Sequence, residues 1–235
     1  MNCPIITSKL RWNGPIADFI ENLPQLVMLG SQSVGKTSII ERIIGHIGIM
    51  PTGNGMVTRQ PLHMRLCYAP NVEFVAVVSE SASLPSLQDL ESRNVTNKNY
   101  RVAQSTDEMR KHITAALKKN VWLDVKPLFV KIFSSKAPNL YLIDLPGLIT
   151  IPADDQPDDL DEQIRNLILS YIKQSNSIII AVSPANQDIA NSESLKLARQ
   201  VDPSGDRTLG VLSKYDLLGE DERQGKPRRQ QAVDR

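Results

Sequence analysis

The chain reads as short aliphatic runs separated by stretches in which apolar residues recur at helical spacing. The first run is Leu26-Val27-Met28-Leu29, and Ile39, Ile40, Ile43 and Ile44 follow it within Ser38 to Gly45. A continuous apolar run predicts a strand buried on both faces, and the following periodicity predicts an amphipathic helix packed against it. The same logic predicts a strand pair at Leu62 to Tyr68 and Val72 to Val78, turning at Ala69-Pro70-Asn71. Further strands are expected at Leu128 to Phe133 and Leu140 to Ile143, on either side of the turn Ser134 to Asn139, then at Ser177 to Val182 and Thr208 to Leu212. Helices are expected at Thr106 to Lys119, capped by Ser105 or Thr106, at Asp159 to Gln174 and at Ser192 to Val201. The second carries Leu160, Ile164, Leu167, Ile168, Tyr171 and Ile172 on one stripe. Residues 80–105, rich in Ser, Asn and Gln, read as a surface excursion. Strands alternating with helices imply an α/β fold, a mostly parallel sheet with helices on both faces that binds ligands at the carboxyl ends of its strands.

Composition narrows this picture. With 235 residues, 41% hydrophobic and 23% charged, the chain is long enough for one globular domain with a sizeable core. Residues 24–218 are expected to form it, behind an arm of mixed character at 1–23. The highly charged stretch 219–235 has the composition of a disordered tail. A formal charge of +1 exerts no global pull on nucleic acid, so no nucleic-acid partner is expected. Cys3 and Cys67 belong to no CxxC pair, which predicts reduced thiols and a cytoplasmic setting. The longest aliphatic run, Ile178 to Val182, is too short to span a bilayer, so no integral membrane protein is expected.

Candidate chemistry begins directly after the first strand. Gly30-Ser31-Gln32-Ser33-Val34-Gly35-Lys36-Thr37 matches GxxxxGK[ST] between a predicted strand and a predicted helix. The glycines let successive backbone N–H groups turn toward a polyphosphate, Lys36 supplies a point charge and Thr37 a hydroxyl for Mg²⁺. The octet alone leaves ATP and GTP, and kinase, motor and switch, all open. Asp144-Leu145-Pro146-Gly147 ends a predicted strand, where the carboxylate can hold Mg²⁺ through water and the Gly147 N–H can meet a terminal phosphate. Ser213-Lys214-Tyr215-Asp216 approximates the [NT]KxD box, whose carboxylate accepts from the guanine N1–H and 2-amino group, donors that adenine does not present together. Lys214 can lay its aliphatic stem along the base. Thr58 closes the glycine-rich loop Pro51 to Arg59, where nucleotide switches keep a threonine for the metal and the attacking water.

These motifs, with Thr58-Arg59-Gln60-Pro61-Leu62, Ser183-Pro184-Ala185-Asn186, Ala190-Asn191-Ser192 and Val201-Asp202-Pro203 through Arg207-Thr208, resemble the GTPase domain of the dynamin family of large GTPases over residues 24–218. The resemblance implies a P-loop GTPase core with inserted elements, hydrolysing GTP to GDP and phosphate in membrane fission or remodelling and activated when two domains meet head to head. By position, Ser31 through Ser38 would contact the nucleotide together with Asp144, Gly147, Ser213, Lys214 and Asp216. Lys36 would bind the phosphates, Thr37 and Thr58 would coordinate Mg²⁺, and Asp144 would support that ion from outside its coordination shell. Gln32 and Thr58 would place the water, and Gly147 would bind the γ-phosphate. Ser33, with backbone oxygens of Gly53 and Gly55, would hold a monovalent cation (K⁺ or Na⁺), and Asp188 would reach across the dimer. Membrane or cytoskeletal (microtubule) association would come through regions beyond those seen here.

Three departures accompany the resemblance. Thr150 stands where the family commonly has lysine, Ser213 and Tyr215 replace threonine and leucine, and the pattern stops after Asp216, before a further guanine loop and the assembly regions. A nucleotide-binding interaction module without turnover is the alternative reading, and a P-loop ATPase or kinase a third.

Overall fold

The computed structural model describes residues 24–51, 58–92, 100–117, 122–152 and 155–218. The predicted arm 1–23 and tail 219–235, and the loop glycines Gly53 and Gly55, lie outside them. The described strands are β1 (Gln25–Leu29), β2 (Leu62–Tyr68), β3 (Val75–Ser79), β4 (Tyr100–Ala103), β5 (Leu128–Ser134), β6 (Leu140–Asp144), β7 (Ser177–Pro184) and β8 (Thr208–Ser213). The α-helices are α1 (Lys36–Ile44), α2 (Leu87–Glu91), α3 (Thr106–Ala116), α4 (Leu160–Ile172) and α5 (Glu193–Val201). The strands form one eight-stranded sheet in the order β4-β3-β5-β2-β6-β1-β7-β8.

β1 lies inside the sheet, parallel to β6 on one side and β7 on the other, and Val27, Met28 and Leu29 have no exposed surface. Alternate residues of this strand feed opposite cores. Met28 joins the cluster built with Ile40 and Ile44 of α1 and Met109 and Ile113 of α3. Val27 and Leu29 join the one built with Leu160, Ile164, Ile168 and Ile172 of α4 and Leu197 and Ala198 of α5. Each such aliphatic side chain contributes about 1.5–3 kcal/mol through burial, so the two helical layers clamp the sheet from both faces. The expected stripe of α4 therefore faces the core as the periodicity predicts.

One difference from the sequence reading is topological: the expected pair of β2 and β3 does not form, because β5 inserts between them, parallel to β2 and antiparallel to β3. The other differences are local. Helix α1 starts at Lys36 rather than Ser38, because Gly35, at φ 97°, ends the phosphate loop one residue before the first helical turn. β3 starts at Val75 because the turn continues through Val72, whose N–H bonds the Ala69 carbonyl. Residues 80–105 are not all surface excursion. They include α2, started by a reciprocal Ser86–Asp89 capping box, and β4, which pairs antiparallel with β3 and buries Ala103.

Relative to β1, strands β6, β7 and β8 run in the same direction, since β8 pairs parallel with β7. Their carboxyl ends, at Leu29, Asp144, Pro184 and Ser213, therefore open on one edge of the sheet. β2 runs antiparallel to β6 with Leu62 opposite Asp144, so its starting end, just after Thr58, arrives at the same edge.

The opposite edge is held by Arg207. Its guanidinium donates to the carbonyls of Ile172, Gln174 and Ser177 through one nitrogen and of Val201 through the other, tying the ends of α4 and α5 to the start of β7. Asp202 accepts from the Asp206 and Arg207 N–H groups and from the Thr208 hydroxyl, which shapes the turn that presents Arg207. Arg207→Ala leaves several carbonyls without a donor and should cost about 2–4 kcal/mol, read as a drop in the denaturant midpoint.

Candidate functional site

Helix α1 begins on a left-handed glycine, Gly35, and no side chain caps its first N–H groups. An uncapped N-terminus following a glycine-rich turn is an anion site. The loop is drawn closed by Lys36, whose Nζ donates to the carbonyls of Gly30 (2.9 Å) and Ser31 (3.2 Å). Gly30 cannot carry a side chain, since a Cβ would stand 2.8 Å from Val34 Cγ1 and 3.0 Å from the Val182 carbonyl. Ser33, at φ 56°, is exposed on the loop with Ser38, whereas Val34 is buried beneath it and Thr37 is half-buried.

The second motif is zipped onto this loop. Ser31 bridges Leu148 in parallel fashion, the Gln32 N–H donates to the Leu148 carbonyl (3.2 Å), and the Leu148 N–H donates to the Gly30 carbonyl (3.1 Å). Gly147 packs so closely that a Cβ there would lie 3.0 Å from Cα, Cγ and N of Gln32. The two residues expected to place the water and bind the terminal phosphate are thus in direct contact. The sequence suggested no such dependence between positions so far apart in the chain.

Asp144 lies beneath them, 1% exposed, and accepts from the Thr58 hydroxyl through Oδ2 at 3.4 Å. Its Oδ1 is buried and has no hydrogen-bond partner among the described residues. Burial pushes the Asp144 carboxyl up to about 6, against the pull of Lys36 and of the Thr58 bond. Burial likewise holds the Lys36 ammonium below the ordinary lysine value, with Asp144 opposing it. The pair is an acceptor and a donor prepared for charged ligands. An orphaned carboxylate oxygen on a side chain bonded to the Thr58 hydroxyl fits a hydrated Mg²⁺. No cluster of three His, Cys, Asp or Glu among the described residues could hold a metal by itself, so such an ion would also depend on phosphate oxygens.

On the other side of the phosphate loop, the Ser213 hydroxyl donates to the Val34 carbonyl and to the Ser183 carbonyl (3.3 Å), and Gly35 approaches Ser213 Cβ. Ser213 therefore fastens the end of β8 to the phosphate loop, a role that needs a hydroxyl and tolerates serine in place of threonine. Lys214, at φ 56°, turns the chain so that Asp216 falls in the exposed 3-10 turn Tyr215–Leu217.

The family model for the dynamin family matches residues 26–215. The chain belongs to the dynamin family. It is 40% identical to Dynamin-A of Dictyostelium discoideum over 197 residues, covering 84% of this chain and 22% of that protein. It is 40% identical to Dynamin-1-like protein of Mus musculus over 206 residues, covering 86% of this chain and 27% of the relative. It is 38% identical to Vacuolar protein sorting-associated protein 1 of Schizosaccharomyces pombe over 208 residues, covering 84% and 30%. The chain thus spans less than a third of the length of these relatives, and its sheet is the α/β domain of a P-loop GTPase of the dynamin family.

Two positions singled out by family resemblance stand apart from this cluster. Asp188 is exposed beyond β7 and caps the 3-10 turn Ile189–Asn191 by accepting from the Ala190 N–H at 2.9 Å. Thr150 is exposed after the Gly147 loop. No helix among the described residues is long and apolar enough to cross a membrane.

Two supports around the site were not anticipated. Arg59 lies over the Trp122 ring at 5.1 Å and its carbonyl accepts from the Asp124 N–H at 2.8 Å, which anchors the residue after Thr58. His63, on the first turn of the pleat in β2, is held between the phenols of Tyr141 and Tyr171. Burial pushes His63 down to about 4, while the ordinary histidine value is 6.5.

His63 and Asp144 pull the pH dependence of stability in opposite directions. Between about pH 6.5 and 4 the unfolded chain protonates His63 and the folded chain does not, so this residue costs stability as pH falls. Between about pH 6 and 3.8 the folded chain protonates Asp144 and the unfolded chain does not, so this residue adds stability as pH falls. The groups facing His63 are the Tyr141 and Tyr171 phenols, both raised by burial and neutral throughout this range. In the ligand-free protein these two contributions largely offset each other across this window, while His46, held below the ordinary histidine value by burial and by Lys136, adds to the loss as pH falls. Asp144→Asn should lose about 3 kcal/mol in denaturant titrations between pH 6.5 and 4.

Proposed function

We propose that this chain binds GTP with Mg²⁺ and hydrolyses it to GDP and phosphate, with the domain spanning residues 24–218. Turnover is completed when two such domains meet face to face, and the whole protein acts in membrane fission or remodelling at the cytoplasmic surface. The observation that carries this reading is the phosphate loop zipped to the Gly147 loop above the buried, half-satisfied Asp144, with Thr58 joined to that carboxylate.

In this reading Lys36 turns from the Gly30 and Ser31 carbonyls to the phosphates, and the open N-terminus of α1 receives them. Mg²⁺, when bound, neutralises phosphate charge. Thr37 and Thr58 would hold the ion, and Asp144 Oδ1 would accept from its water. Gln32 and Thr58 orient the attacking water, and the Gly147 N–H meets the γ-phosphate. Ser33 presents its side chain at the exposed face of the loop and, with backbone oxygens of Gly53 and Gly55, would hold a K⁺ or Na⁺ ion that would supply positive charge. Exposed Asp188 serves the contact between domains.

Phosphate release measured against protein concentration tests the proposal. Specific activity should rise with concentration, and GTP should be preferred to ATP by about a hundredfold, a preference that Asp216→Asn removes. Equal use of ATP defeats the guanine assignment. The exposure of Lys214 and Asp216 favours one second reading, a nucleotide-binding interaction module. It requires tight GTP binding with no phosphate release at any concentration, K⁺ present.

A further inference from the structure

The His63 ring is bonded at both nitrogens, Nδ1 lying 2.8 Å from the Tyr141 hydroxyl and Nε2 3.0 Å from the Tyr171 hydroxyl. It also meets Phe129, Tyr141 and Tyr171 edge-on, with centroids 5.2, 5.9 and 5.4 Å away. A neutral imidazole has one N–H and one lone pair, so one phenol accepts and the other donates. The neutral ring satisfies both phenols in either tautomer. Burial in the neutral form matches it.

What distinguishes this triad is where its three elements lead. His63 stands one residue after Leu62, which pairs with Asp144, and the segment before Leu62 carries Thr58, the residue bonded to Asp144. Tyr141 belongs to β6, the strand that ends in Asp144. Tyr171 stands one residue before the end of α4, the helix that follows the Gly147 loop in the chain. One imidazole fastens the strand leaving the Thr58 loop, the strand ending in Asp144 and the helix following the Gly147 loop.

We propose that His63, through Tyr141 and Tyr171, is a positioning residue for nucleotide turnover, holding the start of β2 after Thr58 and helix α4 in one relation to the strand that ends in Asp144, so that both respond to the γ-phosphate together. This rests on the GTPase reading of the site. A chain whose triad served packing alone would lose stability without losing the link between the start of β2 and α4.

Hydrogen exchange with GTPγS and Mg²⁺ separates these cases, using the 235-residue chain. In the unmodified protein the nucleotide should slow exchange both at residues 58–62 and in α4. In His63→Phe, and in the Tyr141→Phe/Tyr171→Phe double variant that keeps the rings and removes only the hydroxyls, slowing at 58–62 should persist while that in α4 falls at least threefold. Turnover should fall about tenfold or more with GDP affinity within threefold, and combining all three substitutions should add no further loss, as expected of groups acting as a unit. Slowing in α4 that survives in the folded double variant, or losses that add, overturns the proposal. So does a protein in which GTPγS binds without affecting α4. Absence of GTPγS binding defeats instead the GTPase reading on which the proposal rests.

Discussion

Lys36→Ala should lower GTP turnover about a thousandfold, the scale of losing a charge-stabilising donor from a desolvated site. The structure explains why the loss exceeds that of one surface lysine. Lys36 is 9% exposed and is the cation closest in effect to Asp144, whose carboxyl it holds down against burial. Without it the Gly30 and Ser31 carbonyls lose their shared donor, so the loop that receives the phosphates also loses its closure. Asp144, deprived of that charge, should take up a proton at higher pH and become a poorer acceptor for a metal-bound water. Phosphate release and fluorescent GDP binding should fall together, with far-UV circular dichroism retained. Turnover within tenfold of the unmodified protein would count against the assignment.

Gly147→Ala should separate binding from hydrolysis. The new methyl would stand 3.0 Å from Gln32 N and Cα, backbone atoms that cannot swing away as a side-chain end can. Gln32 and Leu148 are also bonded to each other's strands of chain, so the strain must open the zipper between the two loops. A displacement on the order of 1 Å at groups proposed to place the water can cost about a hundredfold in rate. GDP, which lacks the terminal phosphate that Gly147 is proposed to meet, should bind within about fivefold of normal. Single-turnover phosphate release and GDP titration distinguish this from general unfolding, which would lower both.

The residues most legible in the sequence are those whose neighbours lie close along the chain. The helix cap at Ser105, one of the two positions offered, the stripe of α4 and the glycine-rich turn before α1 follow from local sterics and periodicity, and all are present. β4 was hidden because four residues, Tyr100 to Ala103, carry too little alternation to identify a strand, and its existence depends on pairing with β3. The motif from Val201 to Thr208 was visible as a family pattern but not as a device. Only the fold shows Arg207 reaching four carbonyls from α4, α5 and the approach to β7.

By itself the amino-acid sequence determined the α/β architecture, the phosphate loop, and the order of Thr58, Asp144 and Ser213 along the chain, because strand burial, helix periodicity and glycine turns are short-range consequences of residue type. Tertiary structure alone decided that Gly147 touches Gln32, that Ser213 fastens β8 to Val34, that Asp144 is buried with one oxygen unpaired, and that His63 joins Tyr141 to Tyr171. Such contacts connect residues dozens to more than a hundred positions apart. They arise from sheet order and register, which bring distant strand ends to one edge and which no local pattern encodes.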